Sequence, residues 1–233
     1  SITAGERVFT KSFASRLSAI GSFPAAAVLK TEAVASVQGG QFRVSNVQLW
    51  GIDSLFADVA GAVASNLTAG KGQILISQNL ASRLQLSTGD MLLLRIRHTG
   101  PIPSNTPFVS EEQQSISRMV QIRGILPKEH LGHFNLQTSQ STPYNVFVDI
   151  DWLNQIMDME GKANMVLLRE EGTHSEADFH RLIQQAWQPE DGNLNLNYLE
   201  QTAQWMLSSE RVFIDDYLSE SIQKAIPEAK PIL

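Results

Sequence analysis

"ILISQNLASRLQLSTGDMLLLRI", residues 74–96, holds two apolar runs separated by a short helical pattern and a Gly-Asp pair. Ile74 to Ile76 read as a strand and "QNLASRL" as a short helix. Gly89-Asp90 reads as a turn, and Leu92 to Leu94 as buried sheet. Ser77, directly behind the first run and downstream of Gly70 and Gly72, raises the question of a nucleophile or a phosphate loop. A nucleophile elbow needs G-x-S-x-G, because only small neighbours permit the strained turn that exposes the hydroxyl. Leu75 and Asn79 occupy those flanking positions. Ser77 is therefore expected to be an N-cap, its hydroxyl accepting from a free amide of the helix that follows. Gly70-Lys71-Gly72 lacks the G-x-x-x-x-G-K-[ST] spacing that cradles phosphate and reads as a loop. The stretch is scaffolding: strand, helix, turn, strand.

Upstream, Ile2, Phe9, Phe13, Leu17 and Ile20 are mostly three or four apart, which predicts an N-terminal helix stopped by Gly21 and Pro24. "AAAVLKTEAVASV" (25–37) reads as a strand. In "FRVSNVQLWGID" the alternation slips at Ser45-Asn46, which predicts a bulge. Residues 61–73 read as a loop; Asn66-Leu67-Thr68 inside it fits the N-glycosylation triplet, a match common by chance. Downstream, residues 98–118 hold three prolines and read as a long hairpin or loop. "RMVQIRGIL" alternates as a strand with Val120 and Ile122 on one face. "NVFVDI", a helical stripe through Trp152, Leu153, Ile156 and Met157, and "NMVLLR" make a βαβ signature in a parallel or mixed sheet. Thr173 and Glu176 fit a capping box ahead of Phe179, Leu182, Ile183, Ala186 and Trp187. Further helices are expected at about 198–207 and from Asp215 through Ala225. The fold class expected is α+β.

The 233 residues are 42% hydrophobic and 18% charged, enough to bury one large core or two small ones. A net charge of -6 without any basic cluster argues against a nucleic-acid partner. The chain has no cysteine, which removes disulfide frameworks, thiolate metal sites and cysteine nucleophiles. No run approaches the roughly 18 apolar residues of a membrane span. The chain starts at Ser1 and ends on "AKPIL", so both ends are expected to be cuts within a longer protein, with membrane or targeting segments removed.

Candidates for chemistry are sparse. His130 and His133, with Glu129 adjacent, are the one histidine pair close enough to share a metal, and a third ligand is not evident. Asp149 and Asp151 could form a carboxylate pair, but at a strand-to-helix junction they read as caps. Glu111-Glu112 reads as solvated loop and Asp215-Asp216 as a helix start. Trp152, Trp187 and Trp205 are expected in the core, and Trp50, beside a glycine, partly exposed. No catalytic residue, cofactor site or metal site is expected.

Several stretches, in order, resemble the extracytoplasmic core domain of FtsX/MacB-type ABC transporter permeases. "VQLWGIDSLF" looks like that family's strand and Gly-Val/Ile-Asp-x-x-Phe turn, on Gly51, Ile52, Asp53 and Phe56. The opening stretch is similar to its S-x-x-L-A-x-x-L and G-D elements, on Ser77, Leu80, Leu84, Gly89 and Asp90. "VQIRGIL" resembles its V-x-G-I strand, with Gly124; "NVFVDIDWLNQIM" and "KANMVLLR" resemble its N-x-F-V helix segment and next strand, with Asn145, Phe147 and Asn164. "LSSERVFID" is similar to a downstream element of larger members. The hairpin at 100–117 and the tail beyond 190 exceed the compact family core.

The resemblance implies a porter-like α+β part at 1–48 plus 142–187 containing the βαβ unit, an inserted β-rich sabre-like part at 49–141, and a C-terminal helical extension at 188–233. It implies an N-terminal helix that continues a membrane helix as a stalk. It also implies a non-catalytic periplasmic domain of an inner-membrane permease, coupled to a cytoplasmic ATP-binding subunit, dimeric in the membrane, with lipoprotein, lipid or peptide cargo or a partner protein. Two other classes stay open on the residues themselves. One is a ligand-sensing or binding module of a membrane receptor, with the 98–118 hairpin as a lid. The other is a hydrolase using His130 or His133.

Overall fold

Apolar residues at every second position give the strands of this chain one buried face, and the places where the alternation breaks set how the strands curve. The computed structural model describes residues 2–3, 7–37, 42–61, 70–97, 115–136, 142–169, 172 and 174–209. The Asn66–Thr68 triplet, most of the 98–118 hairpin, the Glu111-Glu112 pair, Thr173 and the helix expected from Asp215 lie outside them. The chain divides into two compact units, Ser1–Trp187 and Gln188–Leu233.

The first unit is α+β. Its strands are β1 (Ile2–Thr3), β2 (Phe9–Thr10), β3 (Ala25–Ser36), β4 (Arg43–Ile52), β5 (Gln73–Ser77), β6 (Met91–Arg97), β7 (Ser115–Leu126), β8 (Tyr144–Asp149), β9 (Lys162–Ala163) and β10 (Met165–Leu168). The helices are α1 (Ser12–Gly21), α2 (Leu55–Ala60), α3 (Gln78–Leu84), α4 (Ile150–Ile156) and α5 (Glu176–Ala186). Among the described residues, eight strands run in the order β1-β10-β3-β4-β8-β5-β7-β6, and β6 pairs back onto β3. That last pairing, Ala33 to Ser36 against Leu93 to Ile96, closes β3, β4, β8, β5, β7 and β6 into a barrel. β4 and β8 are parallel, as are β5 and β7, and the remaining pairs are antiparallel. Strands of the expected porter-like and sabre-like segments thus share one sheet.

Closure needs strongly bent strands. Ala33 opposes Val47 while Ala35 opposes Val44, so β4 carries one extra residue at Ser45-Asn46. Asn46 there adopts φ 58°, and the slip in the alternation is the bulge it predicted. The 12-residue β3 is long enough to pair β10 through its first residues and β6 through its last along the same edge. β8, α4 and β10 form the expected βαβ crossover. β10 is separated from β8 by two strands, β4 and β3, and runs in the same direction.

Two apolar clusters fill the unit. The larger joins the alternating residues Val47, Leu49, Ile74, Ile76, Leu92, Leu94, Ile96, Val120, Ile122, Val146 and Val148 with Leu80 and Leu84 of α3. The smaller lies on the alternate positions of β3, β4, β5 and β8 and gathers Val28, Trp50, Ile52, Leu75 and Phe147 with Phe56 of α2.

Several expectations change. The N-terminal residues do not form one helix: Ile2 and Thr3 pair with Val166 and Met165, Phe9 pairs with Ala163, and α1 starts at Ser12. Phe9, Phe13 and Leu17 are buried together, but Ile2 reaches apolar neighbours through edge pairing, and Ile20 is 42% exposed. Spacing alone cannot tell these routes apart, since both bury the same side chains. The capping box of α5 is Ser175 with Asp178, whose carboxylate accepts from the Ser175 amide at 3.0 Å. The helix expected at 198–207 is a hairpin of β11 (Leu194–Leu199) and β12 (Gln204–Ser209). Its period-two alternation, Leu194, Leu196, Tyr198, favours strand over helix. Trp187 and Trp205 are 44% and 66% exposed, not core, and Trp50 is fully buried, not exposed.

Candidate functional site

The motif residues converge on a buried polar centre in the smaller cluster. Strand alternation sends Trp50, Ser77, Asn145 and Phe147 to the same face of β4, β5 and β8, where α2 and the loop after β7 cover them. Asn145 is fully buried, and every polar group of its side chain is engaged. Its Oδ1 accepts from Trp50 Nε1 at 3.0 Å, and its Nδ2 donates to the Phe134 carbonyl at 2.8 Å and the Gly132 carbonyl at 3.4 Å. Its backbone amide donates to Ser77 Oγ at 3.0 Å.

Ser77 occupies the N-cap position of α3, but its hydroxyl accepts no helix amide. The expected capping bond is replaced by the bond to Asn145. The Leu80 amide that a cap would serve donates instead to Asn79 Oδ1 at 2.9 Å, so the Ser77 hydroxyl satisfies the buried Asn145 amide, which would be costly left unpaired. A hydroxyl with no exposed surface and a backbone amide as partner is no nucleophile.

Around this centre, the rings of Trp50, Phe56, Phe134 and Phe147 lie 5.0–6.4 Å apart, from edge-to-face to stacked. On the opposite face of β4, Gly51 permits the close approach of α4 over the larger cluster: a Cβ there would stand 2.8 Å from Leu153 Cδ2 and 3.3 Å from the Leu29 carbonyl. Asp53 Oδ1 accepts from the Leu55 and Phe56 amides at 3.0 and 3.2 Å, starting α2 and fixing Phe56. Burial pushes the Asp53 carboxyl above its usual range, against the pull of those two amides and of Lys11. Lys11 itself is paired with Asp151.

On the other flank, Asn164 imitates a strand residue, accepting from the Lys30 amide at 2.8 Å and donating to the Lys30 carbonyl at 2.7 Å. This aligns Lys30, whose Nζ stands 4.9 Å from the centre of the Trp50 ring. Burial lowers the Lys30 pKa, and Glu32 opposes that shift. The remaining motif residues serve elsewhere: Leu80 and Leu84 join the larger core, and Gly124 lets Leu75 approach to 3.0 Å of a would-be Cβ. Gly89, at φ 97°, donates to the Ile122 carbonyl, and Asp90 accepts from the Ser87 amide at 2.7 Å. Asp149 caps α4 through the Trp152 amide.

Sequence reasoning missed Trp50 and Phe134 as members of this centre. The signal available was the indole N–H, which requires a partner once the ring is buried. His130 and His133 belong to the tight turn after β7, and no cluster of three or more His, Cys, Asp or Glu among the described residues could hold a metal ion. An open groove of about 680 Å³ runs along α1, α2 and the end of β10, lined among others by Phe23, Leu55, Asp58 and Arg169. What the buried centre does is positional: it ties the loop after β7 to β4, β5 and β8.

No family model and no curated protein matches the chain. Solved structures similar to it include two periplasmic or permease domains. The first is the periplasmic region of MacB from Actinobacillus actinomycetemcomitans, at 9% identity and a TM-score of 0.48 over 99% of this chain and 86% of that one. The second is a domain assigned to a permease protein of Porphyromonas gingivalis, at 12% identity and a TM-score of 0.44 over 92% of this chain and 90% of that one.

Proposed function

We propose that this chain is a non-catalytic extracytoplasmic domain of an FtsX/MacB-type ABC transporter permease, which transmits ATP-driven motion or engages cargo or a partner protein. The observation that carries the reading is the ordered motif series. Its members Phe56, Ser77, Asn145 and Phe147, from three separate segments, meet in and around one cluster that holds α2 and the loop after β7 to the sheet. A rigid centre of this kind suits a domain that passes on displacement. On this reading the domain stands in the periplasm, with 1–48 plus 142–187 as the porter-like part and 49–141 as the sabre-like part. Its partner is a cytoplasmic ATP-binding subunit reached through membrane helices, the permease is a dimer, and its cargo is a lipoprotein, lipid or peptide.

The test is the complete gene product. One apolar span of about 20 residues should precede Ser1 directly and three more should follow, and the protein should copurify with an ATPase subunit. A complete soluble protein starting near Ser1 overturns the reading. The alternative, a ligand-sensing module of a membrane receptor, is favoured by the groove beside Arg169. A regulator or kinase fused beyond a single span would select it.

A further inference from the structure

The hairpin β11–β12 presents an apolar face. Its register sets Leu196 opposite Leu207 and Tyr198 opposite Trp205, so Leu194, Leu196, Tyr198, Trp205 and Leu207 share one side. Asn195, Asn197, Gln204 and Ser208 take the other, with Leu199 and Met206. Leu194 is buried beside the turn at Pro189–Gly192, whereas Leu196, Tyr198 and Trp205 are 49%, 50% and 66% exposed. The Tyr198 and Trp205 rings pack against each other, with centres 5.1 Å apart. A two-stranded ribbon is marginal without a surface against its apolar side, and Tyr and Trp are the side chains that anchor interfaces.

Charge narrows what that surface is. Residues 188–209 contain Glu190, Asp191 and Glu200 and no lysine, arginine or histidine. Glu190 precedes the ribbon and Glu200 sits in its turn, both exposed, so one carboxylate stands at each end of the ribbon and no cation offsets them within 188–209. An anionic lipid surface would be repelled, and a second copy would bring like charges together. We propose that this face docks a cationic amphipathic segment of a partner protein, with apolar side chains over Tyr198 and Trp205 and Lys or Arg beside Glu190 and Glu200. The surface is independent of the transporter reading.

The test uses the whole 233-residue chain. The probes are a labelled Leu/Lys amphipathic peptide, its Leu/Glu counterpart, and phosphatidylcholine vesicles with and without phosphatidylglycerol. The Leu/Lys peptide is expected to bind and to weaken as salt rises. Trp205→Ala should raise its Kd by about tenfold or more, and Glu200→Lys by about threefold with a shallower salt dependence. Glu200→Lys leaves the apolar face intact and decides the matter if Trp205→Ala loosens the ribbon. Equal binding of the Leu/Glu peptide, binding to vesicles alone, or no effect of Glu200→Lys overturns the proposal. So does sedimentation showing self-association through this face, or acrylamide quenching showing Trp205 already covered by the chain's own remaining residues.

Discussion

Trp50 and Asn145 lie on adjacent parallel strands, and the indole Nε1–H of one donates to the side-chain oxygen of the other at 3.0 Å with both fully buried. The bond makes the two strands and the loop carrying Phe134 depend on one another, because Asn145 holds that loop through its carbonyls.

Replacing Asn145 by Ala strands the indole N–H and loop carbonyls without solvent. An unpaired buried polar group costs about 1–3 kcal/mol, so Asn145→Ala should destabilise by about 3 kcal/mol or more in denaturant unfolding. A loss under about 1 kcal/mol would show that the centre is not a structural hub.

Ser77 and Ser175 both occupy N-cap positions and should respond differently. Ser175 is exposed and caps α5 through the Asp178 amide, so Ser175→Ala should cost about 1 kcal/mol and Ser175→Asp should be tolerated. Ser77→Ala orphans the buried Asn145 amide, at about 1–3 kcal/mol, and Ser77→Asp should be worse because it buries a charge. Thermal melts of the four variants distinguish the two roles.

Glycine positions rank by what a Cβ would strike. At Gly132 it would meet the Leu126 and Pro127 carbonyls at 2.4 and 2.6 Å, and backbone cannot yield as a side chain can. Gly132→Ala should therefore cost more than Gly51→Ala, where the nearest obstacle is the Leu153 methyl, with both at or above the roughly 1–3 kcal/mol of overpacking. Equal melting temperatures for the two variants would contradict this order.

Asp53 gives a pH signature. Burial raises its folded-state pKa, so between the unfolded and folded values the folded state binds more protons and stability falls as pH rises. Asp178 has the opposite sign: its bonds to Ser175 lower its pKa, and the stability it adds is lost as pH falls through the folded value. Asp53→Asn keeps an acceptor for the Leu55 and Phe56 amides without the charge. It should remove the downward slope above the ordinary carboxylate range, near pH 4, in urea midpoints taken across pH. An unchanged profile would place Asp53 in a more solvated setting.

The strands were legible because burial of one face writes itself as period two, and the bulge because a break in that period has few other causes. The turns at Asp53 and Gly89-Asp90 and the cap at Asp149 were legible for a similar reason, since each is satisfied within a few residues. The helix expected at 198–207 and the N-terminal helix failed where apolar spacing fits two elements and only a pairing partner decides between them.

By itself, the sequence determined the α+β class, most strand positions, and a cysteine-free chain with no local catalytic motif. Only the tertiary structure decided that β6 returns to β3 and closes the barrel, that Trp50 is buried, and that the Ser77 hydroxyl serves Asn145, 68 residues away. Local patterns record which side of an element avoids water. They carry no record of which distant polar group will lose its water and need a partner.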